Sequence, residues 1–518
     1  MFYPGAHAAR NPDKPAVIMS DTGETLTYAQ LEEQSVRLAR VLHDAGLRRG
    51  DSIAFISPND PVYFVAYWAA MRSGLYITAI NYNLTADEAA YIVNDCGARA
   101  FLMHSAMPEI ADKLLDLTPK VELRLSVGGA LPGHDELETV LADAPAEPLD
   151  EQPIGRLMLY SSGTTGQPKG IRAPLGDYQL GDEPDPLFAV FGVAYGMSAD
   201  SVYLSPAPLY HSAPFGFSAM IQSAGGTVIV MPKFIPEDAL ATIERYQVTH
   251  SQWVPTMFIR MLKLPDDVRS RYDLSTHKVA IHAAAPCPIE VKQKMIEWWG
   301  PILQEYYAAT EAIGITLVDS QTWLTKPGTV GRSLLGELHI CDDEGNDLPA
   351  GQAGTIYFER DEFPFVYHNA PEKTAAAANP QHSNWATTGD IGYVDDEGFL
   401  YLTDRKAFMI ISGGVNIYPQ EIENALALHP KVTDIAVIGI PDPEMGEQVK
   451  AVVQPADGVA PSPELERELT DYLHEHIAHF KVPKSIDFVT ELPRTPTGKL
   501  VKHKVREPYL AAAQGKAI

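Results

Sequence analysis

One glycine- and hydroxyl-rich string follows the apolar run RLML at 156–159 and decides how the rest of the chain is interpreted: Tyr160-Ser161-Ser162-Gly163-Thr164-Thr165-Gly166-Gln167-Pro168-Lys169-Gly170. Glycines let backbone N–H groups face an anion, hydroxyl groups add donors, and a lysine adds positive charge. The string therefore predicts a phosphate-binding loop after a strand. Its spacing differs from GxxxxGK[ST], which argues against the common loop of nucleotide hydrolases. A flexible polar turn is the structural alternative.

Around this loop, helical patterns alternate with short apolar runs. The amphipathic stretch 28–46 and the apolar stretch 62–74 predict helices, and 51–57 between them predicts a strand. The same alternation continues with strands predicted at 98–104, 225–231, 248–254 and 277–285 and helices predicted at 237–247 and 290–299. We therefore expect an α/β fold with layered α/β subdomains and a parallel or mixed sheet.

The pattern changes in the last third of the chain. Between about 331 and 402, short strands alternate with Gly and Asp turns, which predicts a β-rich subdomain. After residue 404 the chain alternates strand and helix patterns again, as in a small α/β domain. We expect a large N-terminal domain over 1–404, with its β-rich part at 331–402, and a small mobile C-terminal domain over 405–518.

Composition narrows the function classes. The 518 residues are too many for one compact core, and 45% hydrophobic with 21% charged residues is typical of a globular chain. The formal net charge of −27 disfavours nucleic acid and anionic lipid as partners. Cys96, Cys287 and Cys341 show no metal-ligand spacing, and no signal peptide or apolar span is evident, so we expect a cytoplasmic protein with no membrane span.

Five further strings accompany the loop, in the order Tyr306-Tyr307-Ala308-Ala309-Thr310-Glu311, Thr388-Gly389-Asp390, Tyr401-Leu402-Thr403-Asp404-Arg405-Lys406, Ile411-Ser412-Gly413-Gly414-Val415-Asn416-Ile417-Tyr418-Pro419 and Pro493-Arg494-Thr495-Pro496-Thr497-Gly498-Lys499. Taken together, they resemble the motifs of the acyl-adenylate-forming superfamily, which includes acyl-CoA synthetases, luciferases and nonribosomal adenylation domains. The resemblance spans nearly the whole chain and implies ATP, Mg²⁺ and coenzyme A as cofactors.

The resemblance also implies residue roles in the ATP site. The loop residues from Ser161 to Gly166, with Lys169, would bind phosphate, and Tyr307 would pack on adenine. Thr310 would contact the α-phosphate, while Glu311 and Thr165 would hold Mg²⁺, which prefers oxygen ligands.

Three more positions complete that site. Asp390 would accept hydrogen bonds from both ribose hydroxyls, and Arg405 would meet ribose or phosphate oxygens at a hinge. Lys499 would bridge the attacking carboxylate and the α-phosphate, stabilising charge in the transition state. Relatives commonly carry Asp or Lys two positions after the hinge arginine, whereas this chain has Ala407, which leaves the pivot open.

Coenzyme A contacts follow from the same resemblance. Gly413 and Gly414 would line the pantetheine tunnel, where glycines allow close backbone approach. Phe480 would stack on the nucleotide and Lys481 would meet a phosphate. Val482 stands where some relatives have arginine.

Substrate residues are implied on both sides of the acyl pocket. Tyr210 and His211 would border the acyl and thiol entry path, and Trp253 and His282 would line the acyl pocket. Buried aromatic and histidine side chains are also common in protein cores. Ala284, Ala285 and Pro286 would lie beside adenine. Gly216 lacks the aspartate that amino-acid-activating relatives use for the ammonium group. Ala308 replaces the tryptophan of acetate-specific relatives, so the pocket should exceed acetate size.

The sequence therefore predicts an ATP-dependent carboxylic acid–CoA ligase acting on a medium- or long-chain fatty acid or another hydrophobic acid. Aryl and steroid side-chain acids remain open as substrates, and a homodimer is compatible with the sequence. The alternatives are an adenylation enzyme that loads an acyl carrier protein, a luciferase-like oxygenase, and a non-catalytic binding protein on the same fold. Joint presence of Glu311, Asp390, Arg405 and Lys499 disfavours the last.

Overall fold

A computed structural model describes residues 2–161, 168–182, 187–405, 408–413, 415–494 and 500–513. Among these described residues, no helix combines the length and apolar composition that crossing a bilayer requires.

The α-helices of the described chain are α1 Pro4–Ala8, α2 Tyr28–Asp44, α3 Val62–Met71, α4 Ala86–Asp95, α5 Pro108–Leu117, α6 Leu137–Asp143, α7 Ser212–Ala224, α8 Pro236–Tyr246, α9 Pro255–Leu262, α10 Asp266–Arg269, α11 Ile289–Trp299, α12 Ser320–Thr325, α13 Pro371–Ala376, α14 Pro419–Leu426, α15 Pro463–His476 and α16 Lys502–Ala513. A π-helical turn, Phe188–Gly192, and a 3-10 turn, His479–Lys481, add to them.

The first strands are β1 Pro15–Met19, β2 Thr25–Thr27, β3 Ser52–Ile56, β4 Tyr76–Ile80, β5 Ala98–His104, β6 Leu123–Val127, β7 Asp135–Glu136, β8 Arg156–Leu157, β9 Leu159–Ser161, β10 Lys169–Arg172, β11 Val202–Ser205, β12 Thr227–Val230, β13 His250–Trp253 and β14 Val279–His282. The later strands are β15 Leu303–Ala308, β16 Ile315–Asp319, β17 Thr329–Leu335, β18 Glu337–Cys341, β19 Gly354–Glu359, β20 Val366–Tyr367, β21 Trp385–Ala386, β22 Asp390–Val394, β23 Leu400–Arg405, β24 Ile410–Ser412, β25 Val415–Ile417, β26 Val432–Asp442, β27 Gly446–Pro455 and β28 Ser485–Phe488.

The chain forms two compact units. The first comprises 1–252, 270–280 and 365–374, and the second comprises 253–269, 281–364 and 375–518. The predicted α/β fold class, with a large N-terminal part and a smaller C-terminal α/β part, is confirmed. The predicted domain boundary at 404 and 405 falls inside the second unit and stays a prediction.

Parallel sheets dominate the first unit. One sheet has the strand order β7-β6-β5-β3-β4-β8, and its neighbours pair in parallel. A second run joins β13, β11, β12 and β1 in parallel and adds β2 antiparallel at its edge. Helix α3 is apolar on every side because all but its first residue are buried. Helix α2 is amphipathic and begins at a capping box formed by Thr27 and Gln30.

Antiparallel pairing dominates the second unit, as the turn-rich stretch 331–402 predicted. Strands β15, β16, β17, β23, β22, β19 and β18 follow one another in that order. After residue 404, β24 to β28 form a separate mixed sheet. Helices α14 and α15 cover it and bury Ile422, Leu426, Leu465 and Leu469 against Val437 and Val453. This core explains why the amphipathic patterns at 419–426 and 463–476 fold as helices.

Candidate active site

A β-hairpin of the first unit carries the predicted phosphate loop. Strands β9 and β10 pair antiparallel, with Ser161 opposite Lys169 and Tyr160 opposite Gly170. The Nζ of Lys169 lies 4.8 Å from the centroid of the Tyr367 ring on β20. The register therefore brings the two ends of the loop together and places Lys169 where the chain leaves it. The predicted phosphate-binding residues Ser162, Gly163, Thr164, Thr165 and Gly166 lie outside the described residues.

Asp95, the last residue of α4, anchors the base of this hairpin. The Tyr160 hydroxyl donates to Asp95 Oδ2 at 2.6 Å, and the Asn369 amide donates to Asp95 Oδ1 at 3.1 Å. Burial, followed by the Asp95 hydrogen bond, raises the pKa of Tyr160, so its hydroxyl stays protonated at neutral pH. No local pattern indicates Asp95, because its partners are 65 and 274 positions away in the chain.

Tyr210 and His211 lie at the start of α7 in the same unit. His211 is the N-cap residue of α7 and is half-buried. The Tyr210 ring is buried, with its centroid 4.3 Å from that of His211 and 5.7 Å from that of Tyr82. Burial also raises the pKa of Tyr210. Packing therefore fixes both rings at the N-terminal end of α7.

Gly216 lies on α7 beside an open space. A Cβ atom added there would meet no atom of the described residues within 4 Å outside its own helix. The helix sequence SAPFGFSAMIQSA contains no charged residue. The space next to Gly216 is therefore bordered on this helix by uncharged groups, as a pocket for an apolar acyl chain requires.

In the second unit, the predicted adenine and ribose residues contact each other. The Tyr307 hydroxyl on β15 donates to Asp390 Oδ2 at 2.8 Å, and the Thr388 hydroxyl donates to the same oxygen at 2.9 Å. Asp390 opens β22, which is four places from β15 in the strand order. Four strand spacings of about 4.8 Å would separate them in a flat sheet, so the sheet must curl to bring them together. Ala308 follows Tyr307 at the end of β15 and is half-buried.

The residues after β15 form a tight turn. Glu311 is buried and its neighbour Thr310 is exposed. The Ala312 N–H donates to the Ala309 carbonyl at 2.9 Å, and Arg360 donates to the Ala312 carbonyl at 3.1 Å. Ala312 has φ +52°, a left-handed conformation that is unfavourable for a residue with a Cβ atom. The turn thus holds Thr310 and Glu311 in place at the cost of backbone strain.

A second strained alanine lies in the loop that follows β14. Ala284 has φ +76° and is exposed together with Ala285, while Pro286 is half-buried. Such conformations typically cost about 1–3 kcal/mol and cluster at functional sites. One strained alanine therefore lies within the segment predicted beside adenine, and the other directly follows Glu311.

Strand β23 places Arg405 directly opposite Asp390 on β22. Its side chain lies outside the described part of the structure. Gly413 has φ +58°, a left-handed conformation that favours glycine, and a Cβ atom there would displace the end of the Met445 side chain. Gly414 and Lys499 also lie outside the described residues, and their roles stay predictions.

His282 and Trp253 lie in a buried aromatic cluster of the second unit. Both are almost completely covered, and Phe258 and Trp299 pack against them at centroid distances of 5.4–6.3 Å. This packing supports the C-terminal end of β14, where His282 is the last residue. Their predicted role as substrate residues stays a prediction.

A buried ion pair lies next to His282. Lys292 Nζ on α11 contacts Glu305 Oε2 on β15 at 2.5 Å, and His282 Nε2 lies 3.7 Å from the same oxygen. Burial raises the pKa of Glu305, while the charge of Lys292 acts to lower it. Burial together with the charge of Lys292 holds the pKa of His282 well below its usual range. The pair joins α11 to the strand that carries Tyr307.

The predicted coenzyme A residues lie at the 3-10 turn His479–Lys481. The Phe480 side chain is exposed. Lys481 Nζ donates to both carboxylate oxygens of Glu421, at 2.8 and 2.6 Å. The sequence analysis did not predict this ion pair. In the structure, Glu421 pairs with the Lys481 charge that was expected to contact a phosphate of coenzyme A.

The residues present fit a magnesium ion bound together with a nucleotide. Glu311 supplies one carboxylate, and Mg²⁺ in nucleotide sites is typically held by one or two carboxylates plus substrate phosphates. Thr165, the other predicted ligand, lies outside the described residues.

Comparison with known proteins identifies the family. The profile of the AMP-binding enzyme family matches residues 5–363, and that of its C-terminal domain matches residues 421–499. The chain is 33% identical to a feruloyl-CoA synthase of Amycolatopsis sp over 509 residues, which cover 98% of each chain. It is 30% identical to the fatty acid–[acyl-carrier-protein] ligase ScoC of Streptomyces coeruleorubidus, covering 97% of this chain and 95% of that protein.

Its fold also matches the crystal structure of the anthranilate CoA ligase AuaEII in complex with anthranoyl-AMP. The TM-score is 0.83 at 26% identity, with 99% of both chains covered. The chain belongs to the AMP-binding enzyme family, which confirms its resemblance to the acyl-adenylate-forming superfamily.

Proposed function

We propose that this protein is an AMP-forming carboxylic acid–CoA ligase that acts on a hydrophobic acid larger than acetate. The observation that carries the proposal is the hydrogen bond between Tyr307 and Asp390 beside the turn that holds Glu311. A tyrosine ring, a carboxylate for ribose hydroxyls and a carboxylate for a cation are thereby presented by one curled sheet. Those three groups are what an adenine nucleotide and its metal require.

In the first step, a carboxylate oxygen of the acid attacks the α-phosphorus of ATP. The new O–P bond forms as the bond from the α-phosphorus to the pyrophosphate oxygen breaks, giving acyl-AMP. Lys169 and Lys499 supply positive charge to the phosphates and the attacking carboxylate, and Thr310 donates toward the α-phosphate. When bound at Glu311 and Thr165, Mg²⁺ neutralises phosphate charge.

In the second step, the coenzyme A thiolate attacks the acyl carbonyl carbon. The C–S bond forms as the C–O bond to AMP breaks, and the thiol proton is released to solvent. Phe480 and Lys481 bind the coenzyme A nucleotide, with Lys481 exchanging Glu421 for a phosphate. By their resemblance to the family motifs, Gly413 and Gly414 would admit the pantetheine arm and His211 would border the acyl and thiol entry path.

The substrate class follows from the open space beside Gly216. The helix that borders that space contains no charged residue, so it offers no carboxylate to pair with an amino acid's ammonium group. Ala308 adds only a methyl group. Relatives at 33% and 30% identity are named for feruloyl and fatty acyl groups, both of which are larger than acetyl.

Loading of an acyl carrier protein is the second candidate. The named activity of ScoC supports it, since that relative matches along 97% of this chain. Both functions share acyl-AMP and differ only in the thiol that accepts the acyl group.

The test is pyrophosphate release from ATP and Mg²⁺ over a panel of acetate, hexanoate, decanoate, palmitate, benzoate, ferulate and a bile acid. We expect release with the larger apolar acids, and acyl-CoA by mass spectrometry when coenzyme A is added. Adenylate without transfer to coenzyme A, but with transfer to a carrier protein, would support the second candidate. Absence of release with every acid would contradict both.

Lys499→Ala provides the matching catalytic prediction. Removal of one charge-stabilising group in a transition state typically lowers kcat about 10²–10³-fold, so acyl-AMP formation should fall by at least that factor. The control is Lys504→Ala, an exposed lysine on α16, which should retain the wild-type rate. Equal rates for the two variants would remove Lys499 from the mechanism.

A further inference from the structure

A cluster of potential metal ligands lies on the β-rich part of the second unit. Glu337 and His339 project from β18, and Glu359 projects from β19. One ligand atom from each of the three side chains lies within 4.8 Å of the others. Among the described residues, this is the only such group of His, Cys, Asp and Glu side chains. It shares no residue with the candidate active site.

The strand register explains why these side chains meet. Strands β18 and β19 pair antiparallel with Glu337 directly opposite Glu359. Glu337 and His339 are two residues apart, so they point to the same face of the sheet as Glu359. Like charges directly opposite each other destabilise an antiparallel pair. A bound cation would remove that repulsion.

His339 is oriented as a metal-bound histidine would be. Its Nδ1 lies 3.1 Å from Asp347 Oδ1, which fixes the ring by a hydrogen bond on the side away from the cluster. Its Nε2 is buried and has no hydrogen-bond partner within the described residues. A carboxylate on one ring nitrogen and a metal on the other is the usual arrangement for histidine ligands. The Nε2 atom therefore points its lone pair or proton into the cluster.

The distances suit a small divalent ion. His339 Nε2 and Glu359 Oε2 are 3.3 Å apart. Two ligands at about 2.0–2.1 Å from a tetrahedral zinc ion are separated by about 3.3 Å. The other Glu359 oxygen, Oε1, accepts a hydrogen bond from the Asn384 amide at 3.4 Å. Both His339 and Glu359 thus have a partner that orients them toward a common point.

The Trp385 ring holds the imidazole in this orientation. It stacks on His339 with centroids 3.6 Å apart and an interplanar angle of 14°. The His382 ring also stacks on Trp385, at 3.9 Å and 17°. The indole restricts rotation of His339 and provides a fluorescent group next to the cluster.

We propose that Glu337, His339 and Glu359 form a divalent-metal site of the zinc class, with water completing the coordination. One imidazole and two carboxylates are ligands that zinc accepts. The ion cross-links β18, the edge strand of its sheet, to β19 and so stabilises the β-rich part of the chain. The site is separate from the magnesium ion that accompanies ATP.

Isothermal titration of the metal-stripped full-length protein with Zn²⁺, without ATP, tests the proposal. We expect one Zn²⁺ per chain and a rise in the thermal unfolding temperature. His339→Ala and Glu337→Gln should each lose this binding, and Asp347→Asn should weaken it about 10-fold, as outer partners of metal ligands do. Co²⁺ should quench Trp385 fluorescence, measured as the difference between the wild type and Trp385→Phe.

The matched control is His43→Ala. His43 lies 3.6 Å from Asp44, and both side chains are exposed, so it is a histidine beside one acid rather than in a cluster. Its variant should bind Zn²⁺ as the wild type does. Circular dichroism establishes that each variant is folded, and Glu337→Gln, which changes an exposed side chain, carries the test if His339→Ala does not fold. If the cluster is only a His339–Glu359 ion pair, the wild type will show no 1:1 binding of Zn²⁺, and that result overturns the proposal. Unchanged binding by His339→Ala and Glu337→Gln also overturns it.

Discussion

Lys292–Glu305 and Lys481–Glu421 are lysine–glutamate pairs of the same chemistry in opposite surroundings. Lys292 and Glu305 are almost fully covered, with side-chain exposures of 0% and 5%. Lys481 and Glu421 are partly exposed, at 23% and 42%. A buried charge cannot exchange its partner for water, whereas an exposed lysine exchanges its carboxylate for water or a ligand at little cost. Burial therefore distinguishes Lys292–Glu305, which holds β15 in place, from Lys481–Glu421, whose lysine is available to a substrate.

Breaking the buried pair should have the largest effect. Lys292→Met leaves Glu305 as an uncompensated buried charge and should lower the free energy of unfolding by about 3–5 kcal/mol. Denaturant unfolding measures the change. The control is Lys294→Ala on the same helix, because its ion pair with Glu290 is exposed and should contribute less than about 1 kcal/mol. Equal losses in both variants would contradict the distinction by burial.

A half-buried acceptor, Asp95, sharpens the comparison because it supports the hairpin of the candidate active site. Asp95→Ala removes the acceptor of Tyr160 and Asn369, and an unmet polar group costs about 1–3 kcal/mol. We expect kcat/KM for ATP to fall about 10-fold or more as the hairpin loosens, measured by pyrophosphate release. Asp112→Ala, at an exposed position on α5, should leave it unchanged. A fall in stability without any change in kcat/KM would limit Asp95 to a structural role.

A buried ionisable group, His277, extends the comparison to pH. Burial lowers the pKa of His277 to about 3, and Ser251 Oγ lies 2.6 Å from its Nε2. The unfolded chain takes up a proton below pH 6.5 and the folded chain does not. Its contribution to stability is therefore present above pH 6.5 and is lost as pH falls toward 3, by up to about 1.4 kcal/mol per pH unit. His277→Gln should show a smaller acid dependence of unfolding, and an identical pH profile would contradict this.

The exposed pair should give the smallest change. Glu421→Gln releases Lys481 from its carboxylate and should lower KM for coenzyme A about 2- to 5-fold, the range of an exposed ion pair. Lys481→Ala should raise it by a similar factor. KM for ATP is the internal control and should stay constant in both. A parallel change in both KM values would place the pair outside the coenzyme A site.

Sequence periodicity identified much of the fold. Helices such as α2 and α15 have one apolar face, and strands such as β3 and β12 are short apolar runs, so both are readable locally. Strand order was not readable, because pairing joins segments far apart in the chain. The curl that brings Tyr307 to Asp390, 83 positions later, depends on that order.

The candidate site was predicted by resemblance to family motifs, which name residues but not their neighbours. Asp95, Arg360 and Glu421 support the site through contacts with no local pattern. Lys292 illustrates the reason: a lysine on an amphipathic helix is normally assigned to the solvent side, and only the facing Glu305 makes its burial possible. Partners of this kind become visible only when the strands and helices are assembled.

The open space at Gly216 has a practical consequence for enzyme engineering. A Cβ atom added at this position meets no described atom within 4 Å outside its own helix, so we expect a small side chain there to be accepted without repacking, apart from the small cost or gain of replacing glycine. Residues of graded size there should retune which acids are activated while the protein stays folded. A single-codon library at this position is therefore the most economical way to evolve new acyl specificity in this scaffold.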